Sequence, residues 1–400
     1  MTVKRKIATD IYYVGASDRC SEKFENVYPI PDGMAYNSYL LLDEENILFD
    51  AADVSVRDEF LQKVKNTLDG RPLHKMVVNH VEPDHCAVIE DLLRIYPDME
   101  VLGSAKAKEM IQNFFPELSL DGRYRAMKEG DVLQTGTHEI TFMMAPMVHW
   151  PEVMIEYDKM TGTLFAADAF GAFGALSGNL FDDEMDCERI FLDEARRYYA
   201  GIVGKYGMQV QKVLKKAEGL DIKMIAPLHG PILRGEIPVY LDKYQKWSTY
   251  TPEEQGVLIV YGSIYGHTKK AAYVLADLLA EKGVQRLTVM SASESDPSYI
   301  LSEVFRYSHV VLASSTYNAG IFTPMENFLM ELKAHAVKNR TFAIMENGSW
   351  APSAGKHMKE LLEGMKGNTV LDATVSIRGS LKDAQMAEME NLAGTIYKTL

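Results

Sequence analysis

The chain has 400 residues, 47% of them hydrophobic and 24% charged, and carries a formal net charge of −14. That length predicts two or more domains, and the negative charge argues against nucleic acid as a main partner. No apolar run approaches the ~20 residues of a membrane span, no apolar stretch of the secretory kind follows the basic start, and the three cysteines, Cys20, Cys86 and Cys187, form no CxxC pair, so neither a zinc ribbon nor a disulfide framework is indicated and a reducing cytoplasm is the expected setting.

Residues 1–250 carry many short apolar runs separated by turn signals. "YNSYLLLDEENILFDA" (36–51) predicts two strands around the turn "DEEN". Buried strands running into loops are predicted at 74–80, 139–147, 162–168 and 222–229, and helices at 56–68 and 192–207. The mixture predicts an α/β sandwich with covering helices. A polar, proline-bearing stretch, "STYTPEEQ" (248–255), marks a boundary. From 255 to 400, strands at 256–262, 285–290, 308–315, 340–347 and 368–377 alternate with helices. Five strands in that alternation predict a doubly wound parallel sheet.

Four strand ends in the first domain deliver histidine or carboxylate. "NHVEPDHCAV" (79–88) holds His80, Glu82, Asp84 and His85; His149, Asp168 and His229 end three further apolar runs. Loops leaving neighbouring strands at one edge of a sheet converge, which brings such residues together. A lone histidine at a strand end is usually a hydrogen-bonded structural residue, and His74 and His138 are read that way. Asp84 could equally cap the helix that follows it. Seven groups at four strand ends are harder to explain structurally. They exceed the four ligands of a structural zinc site and suit two ions sharing one carboxylate, typically ~3.5–4 Å apart. Imidazoles mixed with carboxylates favour non-haem iron or manganese, with zinc still open. Cys86 reads as buried packing.

The second domain opens with "YGSIYGHTKKAA" (261–272), in which Ser263, Ile264, Tyr265, Gly266, His267 and Thr268 lead into a helix. Backbone N–H groups and the positive helix end favour a phosphate there. The loop is neither a Walker loop nor GxGxxG. Two further loops flank the expected crevice. Ser315, Thr316, Tyr317, Asn318 and Gly320 lie in the first, and Asn347, Gly348, Ser349 and Trp350 in the second. Tyr317 and Trp350 are candidates to stack on a planar ring, and Asn318, Gly320, Asn347 and Gly348 to face its polar edge. "GAFGAL" (171–176) lacks the context of a dinucleotide site and reads as a turn.

These motifs resemble a known family. "HVEPDH" is similar to the HxHxDH signature of the metallo-β-lactamase fold, with Glu82 where the second histidine stands, and the loop at 261–272 resembles the flavodoxin phosphate loop, [ST]-x-x-G-x-[ST]. Together with "APMVHWPEVM", "ADAFG", "LDEARRYYA" and "IAPLHG" they resemble the flavodiiron proteins along nearly the whole chain. The resemblance implies a metallo-β-lactamase-like αββα domain at 1–250, a flavodoxin-like FMN domain at 255–400 and a diiron centre. One iron would take His80, Glu82, His149 and Asp168; the other Asp84, His85, Asp168 and His229. It implies reduction of O2 to water or of NO to N2O and a head-to-tail homodimer or a tetramer; from charge and hydropathy, no nucleic acid or membrane partner is expected. Because the chain ends at Leu400 after its last helix, a separate donor is expected, rubredoxin first and a coenzyme F420-dependent route second. The main alternative is a zinc hydrolase with a fused flavodoxin module. One departure concerns the segment before "YNSYL", which lacks the histidine several members carry there, so the preferred gas stays open. Tyr198 or Tyr199 is expected to line the pocket.

Overall fold

The computed structural model describes residues 3–400. Its chain divides into two compact units, residues 1–199 with 208–244, and residues 200–207 with 245–400. No helix among the described residues is long and apolar enough to cross a membrane.

The first unit holds two sheets. One runs β1 (Arg5–Ala8), β2 (Ile11–Tyr13), β3 (Tyr39–Leu41), β4 (Ile47–Phe49), β5 (Lys75–Val78), β6 (Glu100–Ser104) and β7 (Tyr124–Met127), in that order across the sheet. The other runs β8 (Val132–Gln134), β9 (Glu139–Met144), β10 (Met154–Asp158), β11 (Thr163–Phe165) and β12 (Met224–Ala226). Strands β3, β4, β5, β10, β11 and β12 are buried along their whole length. That explains the nearly continuous apolar sequences of all but β10, which buries Glu156 and Asp158 as well. The two sheets meet where Phe49 of β4 stacks on Phe165 of β11, with ring centroids 4.0 Å apart and planes 8° apart. The helix Ala105–Phe114 packs on β6 and β7. The arrangement is the expected αββα sandwich.

Two expectations change here. The helix over 192–207 is not continuous: Cys187–Tyr198 is α-helical, Tyr199–Val203 is a π-turn and a new helix spans Gly207–Ala217. Apolar spacing alone does not reveal a π-turn, which inserts one residue into the helical ladder and commonly lies near functional sites. Asp84 caps no helix. Glu82 holds the N-cap position of the short turn Pro83–Cys86, with proline at its first position, and Asp84 lies inside that turn. Its carboxylate faces His85 and His229 instead.

The second unit is built on five parallel strands: β13 (Glu254–Gly262), β14 (Leu287–Ser291), β15 (Tyr307–Tyr317), β16 (Thr341–Asn347) and β17 (Thr369–Ile377). Their order is β14-β13-β15-β16-β17, with a short strand, Gly320–Ile321, folded back on β15. This is the flavodoxin-like order, and it places the ligand crevice where β13 and β15 diverge to opposite winding directions. The helices His267–Glu281 and Met386–Thr399 bury Leu275, Leu279, Leu392 and Ile396 against one face of the sheet. Burying an aliphatic side chain of this size contributes roughly 1.5–3 kcal/mol.

Candidate functional site

The first unit gathers all seven predicted donors into two adjoining groups, every member buried. The first holds His80 and Glu82 from the loop after β5, His149 from the loop after β9, and Asp168 just beyond β11. The second holds Asp84, His85 and His229, the last from the loop after β12.

The distances fit metal ligation. His80 Nε2 lies 3.1 Å from Glu82 Oε2, 3.2 Å from Asp168 Oδ2 and 3.4 Å from His149 Nε2. His149 Nε2 lies 3.1 Å from Glu82 Oε2 and 3.2 Å from Asp168 Oδ2. In the second group His85 Nε2 is 3.2 Å from Asp84 Oδ2 and 3.1 Å from Asp168 Oδ1. His229 Nε2 is 3.2 Å from the same Asp84 oxygen and 3.5 Å from Asp168 Oδ1. Donors bound ~2.0–2.2 Å from one ion lie roughly 3.0–3.5 Å from each other. Asp168 turns Oδ2 to one group and Oδ1 to the other. Both oxygens of Asp84, Asp168 Oδ2 and His229 Nε2 are buried and near one another, yet none has hydrogen-bond geometry. Buried polar atoms without partners are costly, and two cations between these groups would satisfy them all.

The charges agree with this fit. Burial opposes protonation of His80, but the carboxylates of Asp168, Glu152 and Glu82 outweigh it and hold His80 well above the ordinary histidine range. Burial likewise opposes charge on His85 and His149, yet Asp84 and Asp168 lift His85, and Asp168 and Glu82 lift His149, each to about 9. These imidazoles face enough negative charge to hold a positive one in its place.

The frame around the donors explains their placement. Asp50 Oδ1 accepts from the amides of Asn79 at 2.8 Å and His80 at 3.3 Å, which fixes the start of the 79–85 loop. Asn37 Nδ2 donates to the carbonyls of Pro227 and Gly230, each at 2.9 Å, and holds the loop that carries His229. Gly230 sits at φ +72 with Ala172 close against it, so the turn favours glycine. Ala167 and Met147, close before Asp168 and His149, take positive φ values of 48 and 64. Such angles are uncommon for residues with a side chain, so the surrounding packing must hold these two turns in place.

Several site residues escaped the sequence reading. Glu152 Oε1 lies 2.7 Å from His80 Nδ1, a carboxylate behind a ligating ring. Its spacing of three from His149 was the only available signal. The Trp150 ring centroid lies 5.1 Å from that of His80 and 6.1 Å from that of His149. Glu25, in the segment noted for lacking histidine, is exposed as a residue but brings its carboxyl beside Glu82, where partial loss of water and the neighbouring charge push it up. Tyr198 packs on His229 at 5.4 Å, whereas Tyr199 packs on Tyr244. His74 and His138 are structural as expected: His74 Nδ1 accepts from the Asn46 amide, and His138 pairs with Asp158. Cys86 is fully buried, and burial pushes its thiol up.

The second unit carries a cleft of about 700 Å³. Its walls include Ser263, Ile264, Tyr265, His267 and Thr268 from the first loop, Ser315, Thr316, Tyr317 and Asn318 from the second, and Asn347, Gly348, Ser349 and Trp350 from the third. Ala319, Ala351 and Gly379 line it as well; Gly266 and Gly320 do not. Gly266 instead forms the N-cap of the helix His267–Glu281 at φ +87, a conformation suited to glycine. Ser263 Oγ accepts from the Gly266 amide at 3.1 Å, and Thr268 and Ser315 hydroxyls meet at 2.9 Å. Hydroxyls and helix amides suit a phosphate. Trp350 is 86% and Tyr265 90% exposed, so both have open ring faces at the cleft. The donor set fits FMN.

A binuclear metal pocket on a metallo-β-lactamase-like sandwich and a flavin cleft on a flavodoxin-like sheet define a two-cofactor redox class. Residues 34–230 match the family model described as ODP family beta lactamase, and residues 259–393 match that of flavodoxin. The chain is 30% identical over 363 residues to a nitric oxide reductase of Moorella thermoacetica, covering 90% of each chain. It superimposes on the rubredoxin oxygen:oxidoreductase of Desulfovibrio gigas with a TM-score of 0.93 at 26% identity, covering 99% of this chain and 98% of the other. A single-substitution variant of the flavo di-iron protein of Thermotoga maritima gives a TM-score of 0.90 at 26% identity, over 99% and 98% of the two chains. The chain belongs to the flavodiiron protein family, whose cofactors are FMN and a diiron centre.

Proposed function

We propose that the chain is a flavodiiron oxidoreductase that reduces O2 to water, NO to N2O, or both. The observation that carries this reading is Asp168, with one carboxylate oxygen turned to each of two donor groups. The names of the relatives from Moorella thermoacetica and Desulfovibrio gigas support the choice of gases. His80, Glu82, His149 and Asp168 would hold the first iron, and Asp84, His85, His229 and Asp168 the second. The three cleft loops of residues 263–268, 315–320 and 347–350 would hold FMN, the first offering hydroxyls and helix amides to its phosphate and Tyr317 and Trp350 offering ring faces to stack on. When bound, the flavin takes up and releases single electrons and the iron pair passes them to the gas.

The chain's own residues prepare that chemistry. Glu82 replaces the imidazole of the hydrolase pattern and donates more charge, which favours an oxidisable, harder ion over a zinc hydroxide. The rings of Tyr198, Phe24 and Tyr36 pack around His229 and keep water from the second group. We place the diiron domain at 1–250 and the FMN domain at 255–400. A separate donor, rubredoxin by analogy with the Desulfovibrio gigas protein, would supply electrons in the cytoplasm, and a head-to-tail dimer, or a tetramer built from it, would bring each flavin to a partner's irons.

Metal and flavin analysis after anaerobic purification tests this reading. Two irons and one FMN per chain are expected. Two zincs and no iron would point to the hydrolase alternative and overturn it.

A further inference from the structure

The two donor groups match in their inner ligands and differ behind them. Each has two imidazoles, one carboxylate of its own and one oxygen of Asp168. Behind His80 stands a fully buried carboxylate: Glu152 Oε1 lies 2.7 Å from His80 Nδ1 and accepts from the Val81 amide at 3.0 Å, while its Oε2 has no hydrogen bond. Behind His229 stands only a neutral group, the Ala35 carbonyl, 2.7 Å from Nδ1. Behind His85, Nδ1 has no hydrogen bond at all. A second buried carboxylate, Asp50, faces His85 more than His80, but it accepts from the Asn79 and His80 amides and not from a ring nitrogen. Of the outer nitrogens of His80, His85 and His229, only that of His80 is therefore paired with a carboxylate.

A carboxylate that accepts from the outer nitrogen of a ligating imidazole makes that ring a stronger donor. A buried negative charge also favours the more highly charged of two ions, because little water screens it. We propose that Glu152 is a tuning residue that makes the iron at His80 the first to be oxidised and the last to be reduced. The half-reduced centre then carries its ferric ion at His80, Glu82 and His149 and its ferrous ion at Asp84, His85 and His229. Each oxidation step would pass one electron to the gas and each reduction step would take one from the flavin, while the hydrogen bond between His80 Nδ1 and Glu152 stays in place. The inference rests on the diiron reading above.

The test is a redox titration of the anaerobically prepared, iron-loaded protein, with the half-reduced centre counted by electron paramagnetic resonance. Two equal, independent sites give at most about half of the centres in the half-reduced form. Wild-type protein should exceed that level. Glu152→Gln keeps an acceptor for His80 but removes the charge, and should fall toward half; Glu152→Asp keeps the charge and should stay near wild type. A wild-type yield of half or less, or a Gln variant equal to wild type, overturns the inference while leaving the diiron reading intact. So does an Asp variant as depleted as the Gln variant. The wild-type titration decides even if the Gln variant loses its iron. Absence of any diiron signal in wild type overturns the diiron reading itself.

Discussion

The metal pocket and the flavin cleft solve the binding problem in opposite ways. In the pocket every donor is buried, and the side chains of Asp50, which accepts from a loop amide, and Asn37, which donates to a loop carbonyl, hold the loops that carry them. In the cleft the key aromatics are open to solvent, and loops after successive strands supply the contacts. The contrast follows from the ligands. Small ions need donors fixed to within tenths of an ångström and desolvated carboxylates. A flavin brings a large planar ring and a phosphate, which loops and a helix end can grasp from one side.

The largest expected effect is at Asp168, which turns one oxygen to each donor group. Asp168→Ala should reduce gas turnover by more than about 100-fold and lower iron content, while FMN stays bound. If turnover is unchanged, the binuclear account fails. Chelating the metal should come next. Glu82, Asp84 and Asp168 would lose their cations and repel one another, so the thermal midpoint of the metal-bearing unit should fall by about 5–10 °C. A midpoint insensitive to chelation would contradict the fit of two ions to the orphaned oxygens.

On the other side of the comparison, Trp350→Ala should weaken FMN by about tenfold, from lost stacking, without changing iron content. Equilibrium dialysis with FMN and metal analysis check both parts. Iron lost together with flavin would break the separation of the two sites. The smallest effect should come from Glu156, buried in β10 with neither oxygen hydrogen-bonded. Burial, with the nearby Asp50, pushes its carboxyl well above the ordinary range. A raised folded-state pKa contributes stability at acid pH that is lost as pH rises above the unfolded value. Glu156→Gln should therefore raise stability by about 1–3 kcal/mol at pH 8 and leave it nearly unchanged at pH 4. Thermal melts at the two pH values read this directly, and a destabilised Gln variant at pH 8 would refute it.

How much was legible in the sequence depended on pattern. The five strands of the second unit were readable because a doubly wound sheet alternates apolar strands with amphipathic helices. The strand β10 was not, since "MIEYD" is entirely buried yet carries Glu156 and Asp158; charge inside a strand reads as a loop. The seven residues gathered into the two donor groups were readable because they cluster at the ends of four apolar runs. Glu25 and Glu152 were not, because a carboxylate that acts through another ligand needs only to reach it in space. The break after Tyr198 lay in backbone geometry, and apolar spacing is blind to that.

Stopped-flow reoxidation most directly tests the central claim, that electrons held at the flavin leave through the metal pocket. The protein is reduced anaerobically, mixed with O2 or NO, and followed by flavin absorbance beside iron-depleted and Asp168→Ala proteins. With irons in place, at least one gas should reoxidise the flavin about 100-fold faster than in either control. Equal rates in all three proteins, with both gases, would contradict the account.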